Sequence, residues 1–360
     1  MESPKIILTG GGTAGHVSLN QAIIPPLKEK GYDVHYIGSK DGIEKNLIRD
    51  SFPGLPYHEI QSGKLRRYFS MKNFTDPFKV GAGVLQAYKQ IKKLKPALIF
   101  SKGGFVSVPV ILAGRMAGVP VVIHESDVTP GLANKLAMPF ADHVFTVFPE
   151  TVPHVKKASA TCSGPVIRPE LFDGSKKEGL RLAGLSGKRP VLLVMGGSQG
   201  SAVLNEAVRS GLPQLLRSMD VIHLCGKGHL DRTLDGTEGY AQFEYVTGGL
   251  KDLLKAADGV VSRAGSNSIF EFLALRLPML LIPLSAEKSR GDQILNARLF
   301  AKSGFAEVLE EENVTRETFL DAVGSMTENA QRMILSMEKA EPPKTPEEMA
   351  ALILKCSKGE

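Results

Sequence analysis

The feature that most constrains this chain is that it starts the same architecture twice. Residues Lys5–Gly15 read KIILTGGGTAG, an apolar strand running into a glycine-rich turn, and Pro190–Gly200 read PVLLVMGGSQG, the same strand-to-glycine pattern. A helix-like stretch follows each turn, Leu19–Glu29 and Ala202–Arg217, and then another strand, Asp33–Ile37 and Val221–Leu224. Further strands are expected at Ala97–Phe100, Val119–Ile123 and His143–Val147 in the first half. In the second half they are expected at Phe243–Tyr245, Gly259–Val261 and Met279–Ile282. Short Val/Ile/Leu runs alternating with helical stretches imply parallel sheets covered by helices on both faces. The fold class expected is therefore α/β, with two doubly wound Rossmann-like domains facing a cleft. A length of 360 residues, more than one hydrophobic core usually organises, agrees with two domains. Prolines and glycine in Ser163–Glu170 (SGPVIRPE) mark the break, giving domains over 1–164 and 165–360. The final helical stretch, Pro346–Lys355, has the freedom to pack back on the first domain.

Open sheets of this kind bind ligands at the carboxyl ends of their strands, so the two glycine turns are the first places to look for chemistry. Gly10–Gly15 formally satisfies GxGxxG, and a nicotinamide dehydrogenase is the runner-up reading on pattern alone. A dinucleotide site also wants an acid at the end of the second strand. Here that strand ends Tyr36-Ile37-Gly38-Ser39, with Asp41 displaced beyond it. The second glycine loop, Gly196–Gly200, has no role in such an enzyme, whereas in a two-domain transferase it would hold a donor diphosphate, with the Ser198 hydroxyl as an added donor. His16 directly follows the first loop, where an imidazole titrating near neutrality suits the removal of a hydroxyl proton. Ser262–Asn267 (SRAGSN) is a small turn opening a helix that carries Glu271. That carboxylate is either a partner of the helix dipole or an acceptor for the two hydroxyls of a ribose, and convergence of turn, acid and glycine loop favours the ribose.

Composition narrows the setting. The net charge of +6 is concentrated: ten basic residues lie between Lys64 and Lys102, against one acid, Asp76. Tyr68, Phe69, Met71, Phe74, Phe78 and Leu85 are interleaved with them. This mixture suits contact with anionic lipid headgroups, the alternative being an amphipathic helix packed on its own domain with a solvated basic face. No recognised nucleic-acid motif accompanies the patch, so nucleic acid is not an expected partner. No apolar run approaches the ~18 residues a spanning helix needs, and the apolar stretch Ile6–Leu8 is too short for a signal-peptide core. Cys162, Cys225 and Cys356 are widely spaced with no CxxC pair, and read as reduced thiols.

Six motifs stand in order: TGGGTAGH (Thr9–His16), FSKGGFVSVPV (Phe100–Val110), HESDVTPGLANKLA (His124–Ala137), GGSQGS (Gly196–Ser201), SRAGSNSIFE (Ser262–Glu271) and GDQILNA (Gly291–Ala297). Together they closely resemble the bacterial UDP-N-acetylglucosamine:undecaprenyl-diphospho-muramoylpentapeptide N-acetylglucosaminyltransferase family, which makes lipid II from lipid I. The resemblance runs from about Lys5 to beyond Leu309. It implies a GT-B fold, inversion at the anomeric carbon, and no cofactor or bound metal; no Asp-x-Asp metal motif is evident. It also implies a peripheral position on the cytoplasmic face of the cell membrane, with UDP-GlcNAc, undecaprenyl-linked lipid I and anionic inner-leaflet lipids as partners.

The same resemblance distributes roles. Thr13, Gly15, Arg168, Ser198, Gln199, Val246, Glu271, Asp292 and Gln293 would serve the donor, with Val246 meeting uracil through its backbone and Asp292 and Gln293 reading sugar hydroxyls. Gly12, Lys102, Gly103, Gly104 and Asn134 would line the acceptor side, with Lys102 suited to a diphosphate. His16 ranks first as catalytic base. Asp127, standing where many members carry an amide, is its rival, and Glu125 either orients His16 or takes the proton itself. Two sister readings share the fold: a glycolipid glycosyltransferase with a diacylglycerol acceptor, and a UDP-GlcNAc 2-epimerase. A non-catalytic sugar-nucleotide sensor would have lost the acceptor-side groups, and His16, Lys102 and Asn134 are all present.

Overall fold

The computed structural model describes residues 3–63, 72–197, 200–246, 248–287, 289 and 291–357. The chain divides into two compact units, one running to Arg168 and resuming at Lys344, the other spanning Pro169–Pro343.

Among the described residues the first unit carries β1 Lys5–Thr9, β2 Asp33–Ser39, β3 Tyr57–Ile60, β4 Leu98–Ser101, β5 Val121–Glu125, β6 His143–Thr146 and β7 Ser159–Cys162. They form one parallel sheet in the order β3-β2-β1-β4-β5-β6-β7. The second unit carries β8 Val191–Met195, β9 Asp220–Leu224, β10 Tyr240–Phe243, β11 Gly259–Ser262, β12 Met279–Leu281 and β13 Ala306–Val308. Its parallel order is β10-β9-β8-β11-β12-β13. Both sheets therefore reverse direction beside their first strand, between β1 and β4 and between β8 and β11, which is where an open α/β sheet leaves a crevice. This is the doubly wound, two-unit α/β architecture of the GT-B class.

Parallel strands with both faces covered must be apolar at every position. In β1, Ile6 and Leu8 pack with Val17, Ile23, Ile24 and Leu27 of the helix Gly15–Glu29, while Ile7 turns to the opposite face beside Ile99, Val121 and Ile123. The first of these clusters also takes in Met349, Ala350, Ile353 and Leu354. The helix Pro346–Lys355 thus belongs to the first unit, held by a Thr345–Glu348 capping box at its start. The two passages between units adjoin within the first unit: Ile167 N–H donates to Lys344 O at 3.0 Å, and Lys344 N–H to Pro165 O at 2.9 Å.

Two corrections concern strands. The strand expected at Phe243–Tyr245 ends at Phe243 and begins at Tyr240, with Tyr245 exposed beyond it. Three short strands, β3, β7 and β13, were not anticipated. Each lies at a sheet edge, where one side has no neighbour and less apolar sequence is needed. The basic stretch from Lys64 to Met71 lies outside the described residues. The helix Lys72–Leu94 that follows buries Ala87 and Ile91, and exposes Leu85 on the face that carries Lys89 and Lys92.

Candidate active site

At the carboxyl end of β1 the chain turns through Gly10, Gly11 and Gly12 before the helix beginning at Gly15. Side chains from the surrounding elements take up the polar groups of this turn. Asn20 Nδ2 donates to Thr9 O at 3.0 Å, and the Tyr36 hydroxyl to Gly10 O at 2.6 Å. His16 Nδ1 lies 3.0 Å from Gly11 O, with the Thr13 hydroxyl 3.1 Å from the same nitrogen. A carbonyl only accepts, so Nδ1 carries the proton and Nε2 is the basic nitrogen of the neutral ring. The Gly12 N–H donates to Glu44 Oε2 at 3.1 Å, and Gly11 N–H to Gly103 O at 3.2 Å.

Glu44 is the residue that sequence reasoning missed. It is buried, in the first turn of the helix Ile43–Ser51, and its other oxygen accepts from Ser39 N at 3.0 Å and Ser39 Oγ at 2.5 Å. This carboxylate, and not Asp41, is the acid that reaches the first glycine turn. It occupies the amide that a dinucleotide phosphate would need, which overturns the dehydrogenase reading of GxGxxG. A signal was available in the sequence: an acid one short turn after the strand end Gly38-Ser39. The glycines themselves are dictated by contact, since a Cβ on Gly11 would sit 2.4 Å from Glu44 Cδ and one on Gly104 2.1 Å from Gly11 O.

Next to this turn, across the β1/β4 reversal, lie Lys102, Gly103 and Gly104. Lys102 is buried beside Gly10, donates to the Ser126 hydroxyl, and has its ammonium pushed down to about 8 by burial, against the opposing pull of Glu125 and Asp127. Asn134, also buried, donates to Glu125 Oε2 at 2.8 Å and would meet any side chain at Gly103.

Glu125 has a different job from the one expected of it. Its Oε1 accepts from the Ser126 and Asp127 amides at 2.8 and 3.0 Å, and its Oε2 from the Gly131 amide at 3.0 Å as well as from Asn134. Four donors on one buried carboxylate make it the organiser of the loop that presents Asp127. Asp127 itself is half-buried near Lys102, and its carbonyl accepts from Thr151. Burial beside Lys102 also drives His124 well below the usual imidazole range, so it stays neutral.

In the second unit the glycine turn Gly196–Gly200 follows β8 and leads into the helix Ala202–Leu215, capped by Ser201 Oγ on Leu204 N–H. Ser198 and Gln199 lie outside the described residues. A Cβ on Gly200 would sit 2.1 Å from Cys225 O, so this turn too is packed against the neighbouring strand end. Arg263, immediately after β11, crosses behind it. Its guanidinium reaches Ser201 Oγ at 2.7 Å, Glu311 Oε1 at 2.6 Å, and the carbonyls of Ile282 and Pro283 at 3.1 and 3.3 Å. Glu311 in turn accepts from Ser285 N–H at 3.0 Å. One buried ion pair therefore ties together the loops after β8, β11, β12 and β13, a role the sequence reading did not assign.

Glu271 is the sixth residue of the helix Ser266–Ala274 and half-buried. It lies past the first turn, where the helix dipole acts. Asp292 opens the helix Asp292–Lys302, and Gln293 beside it accepts from Leu284 N–H at 3.0 Å through Oε1, leaving its amide N–H groups as the part with donors to offer. Val246 is half-buried next to the exposed Tyr245, and Arg168 is exposed at the end of the first unit's leading segment. Among the described residues no three His, Cys, Asp or Glu side chains cluster so as to hold a metal ion.

Comparison with known proteins gives the family and the fold. Residues 6–146 match the glycosyltransferase family 28 N-terminal domain, and residues 191–352 the C-terminal domain of the same family. A UDP-N-acetylglucosamine--N-acetylmuramyl-(pentapeptide) pyrophosphoryl-undecaprenol N-acetylglucosamine transferase of Geobacillus thermodenitrificans is 58% identical, over 93% of this chain and 94% of its own. The Clostridium botulinum (strain Langeland) protein of that name is 51% identical over 98% and 99%. Among solved structures, MurG of Acinetobacter baumannii superposes with a TM-score of 0.77, covering 98% of this chain and 99% of its own at 23% identity, a likeness of fold. The chain belongs to glycosyltransferase family 28.

Proposed function

We infer that this protein transfers N-acetylglucosamine from UDP-N-acetylglucosamine to the muramic-acid C4 hydroxyl of undecaprenyl-linked lipid I, producing lipid II for peptidoglycan. The observation that carries the reading is the near-full-length identity of 58% to a transferase named for that donor and acceptor.

The reaction is a direct displacement with inversion. The C4 oxygen bonds to the anomeric carbon as the bond from that carbon to the UDP oxygen breaks, and UDP leaves with the electron pair. The hydroxyl proton passes to His16 Nε2. His16 is suited to this because Nδ1–H is committed to Gly11 O, so the tautomer is chosen before substrate arrives. Asp127 is the second candidate for the proton, presented by the loop that Glu125 organises. The Lys102 ammonium, close to Gly103 and Gly104, supplies charge for the acceptor diphosphate. Gly12 and Asn134 shape that side.

The second unit holds the donor. Ser198 and Gln199 of its glycine turn donate hydrogen bonds to the leaving diphosphate, and Thr13, Gly15 and Arg168 serve the donor as well. Val246 meets uracil through its backbone, Glu271 holds the ribose hydroxyls, and Asp292 and the Gln293 amide read the sugar. Binding both reactants in alignment supplies much of the barrier reduction. The first unit, to Arg168 and again from Lys344, takes the acceptor, and the second, Pro169–Pro343, takes the donor.

Among the described residues no helix is long and apolar enough to cross a membrane. The protein works at the cytoplasmic face of the membrane as a peripheral enzyme. The exposed Leu85, Met116, Leu132, Leu136 and Phe140 of the first unit and the basic run from Lys64 onward meet anionic lipids there. Reversing Arg66, Arg67 and Lys72 to acids abolishes sedimentation with anionic liposomes if this is right; unchanged sedimentation refutes it.

The deciding experiment is a turnover assay with UDP-GlcNAc and a short-chain lipid I analogue, with and without EDTA, repeated for His16→Ala and Asp127→Asn. Disaccharide product insensitive to EDTA is expected, with the larger loss in His16→Ala. Epimerised UDP-sugar without transfer would overturn the function, and a larger loss in Asp127→Asn would move the base.

A further inference from the structure

The peptide joining Gly11 to Gly12 is gripped at both ends by ionisable side chains. Its N–H donates to Glu44 at 3.1 Å, and its carbonyl accepts from His16 Nδ1 at 3.0 Å. In a trans amide these two groups point in opposite directions across one rigid, conjugated plane, and among the described residues no peptide bond is cis. Carboxylate, amide and imidazole therefore form one continuous chain of hydrogen bonds.

We propose that Glu44 is a positioning residue for the transfer reaction, acting through the Gly11–Gly12 peptide to keep the proton of His16 on Nδ1 and to stabilise the ring once Nε2 has taken a second proton. An anion accepting the amide N–H draws electron density toward the carbonyl oxygen, and hydrogen bonds in such chains strengthen one another by roughly 10–30%. Gly11 O becomes a better acceptor for Nδ1–H, most of all when the ring is charged. The arrangement does for His16 what a carboxylate bonded directly to an imidazole does, with a peptide in between.

Three features fit this role better than that of a simple loop brace. Glu44 is buried at 1% exposure yet receives only N–H and O–H donors, one from Gly12 and two from Ser39, a set that calls for an acceptor at both oxygens. Gly11 and Gly38 leave room for it: a Cβ on either would lie 2.4 Å from Glu44 Cδ or 3.2 Å from Glu44 Cγ respectively. The turn is also braced independently of Glu44, by Asn20 on Thr9 O and Tyr36 on Gly10 O. Among the described residues, Lys102 also lies beside the turn, next to Gly10 and facing Glu125 and Asp127, and the neutral phenols of Tyr36 and Tyr57 lie near Glu44.

This inference rests on the assignment of His16 as base, and the test separates the two. In full-length protein labelled with 15N-histidine, His16 is expected to be the Nδ1–H tautomer, and Glu44→Gln is expected to lower its titration midpoint by about 0.5 unit or more. The same substitution lowers kcat by about 10- to 100-fold while KM for UDP-GlcNAc stays within about twofold, moves the acid limb of the kcat profile with the NMR midpoint, and is partly rescued in Glu44→Asp. In a His16→Ala background Glu44→Gln has no further effect on kcat. An unmoved His16 midpoint, or equal losses from Glu44→Gln with and without His16, overturns the proposal. Should Glu44→Gln fail to fold, an Nε2–H tautomer in the unmodified protein overturns it. Full kcat in His16→Ala alone would instead refute His16 as base, while the tautomer and midpoint still report on Glu44.

Discussion

Lys102 shows how far a single residue's chemistry depends on its setting. A lysine ordinarily loses its proton near 10.5, and burial brings that here to about 8. Two opposite consequences follow. If the ammonium binds the acceptor diphosphate, kcat/KM for the lipid acceptor falls about tenfold per pH unit above that point. Lys102→Met removes the limb and lowers the plateau by roughly 10- to 100-fold, as steady-state profiles would show. The folded chain meanwhile sheds a proton that the unfolded chain keeps until about 10.5, so the unfolded state binds more protons in that window. The Lys102 contribution to stability is therefore least favourable below pH 8 and improves between 8 and 10.5. Gly104 is the steric counterpart. Its φ of +87° and the 2.1 Å approach of a Cβ to Gly11 O predict that Gly104→Ala loses ~2 kcal/mol or more of stability in urea unfolding. His16, Lys102, Asn134 and Glu271 stand out in the sequence as candidates because they sit in short motifs that follow strands. Glu44, Arg263 and Glu311 escaped as partners because their decisive contacts join groups that only folding brings near, with separations of 32 from Glu44 to Gly12, 48 from Arg263 to Glu311 and 62 from Arg263 to Ser201.

At the scale of elements, the inner strands announced themselves and the edges did not. β1, β4, β5, β8, β11 and β12 are covered on both faces and must be apolar throughout, whereas β7 reads Ser-Ala-Thr-Cys and β13 Ala-Glu-Val. The loops after the inner strands of the second unit depend on one ion pair. Arg263→Ala leaves Glu311 buried at 4% side-chain exposure without its partner, and should cost about 3–5 kcal/mol. Adding Glu311→Gln should recover part of that loss, since the remaining group is neutral. Calorimetry would read both. Unchanged melting in Arg263→Ala would mean that backbone contacts alone hold the four loops. In the first unit Glu125 plays the same organising part, with three amide donors from the loop after its strand and a fourth from Asn134 of the helix that follows.

At the scale of the whole molecule, the chain leaves the first unit and returns to it. The helix Pro346–Lys355 buries Met349, Ala350 and Ile353 completely against the helix Gly15–Glu29 and its sheet. Ending the chain at Pro343 should therefore raise hydrogen exchange through β1 and β2 while leaving β8 and β11 protected; equal deprotection of both sheets would contradict the division into units. The sequence by itself determined the two doubly wound α/β halves, the glycine turns and the family, because strand burial and tight turns are written locally in composition and spacing. Only tertiary structure decided which sheet the last helix completes, which carboxylate reaches the first glycine turn, and which arginine pins the second. Those choices depend on buried surface and on polar groups that must find partners once water is excluded, and such partners are chosen by proximity in space and not by order along the chain.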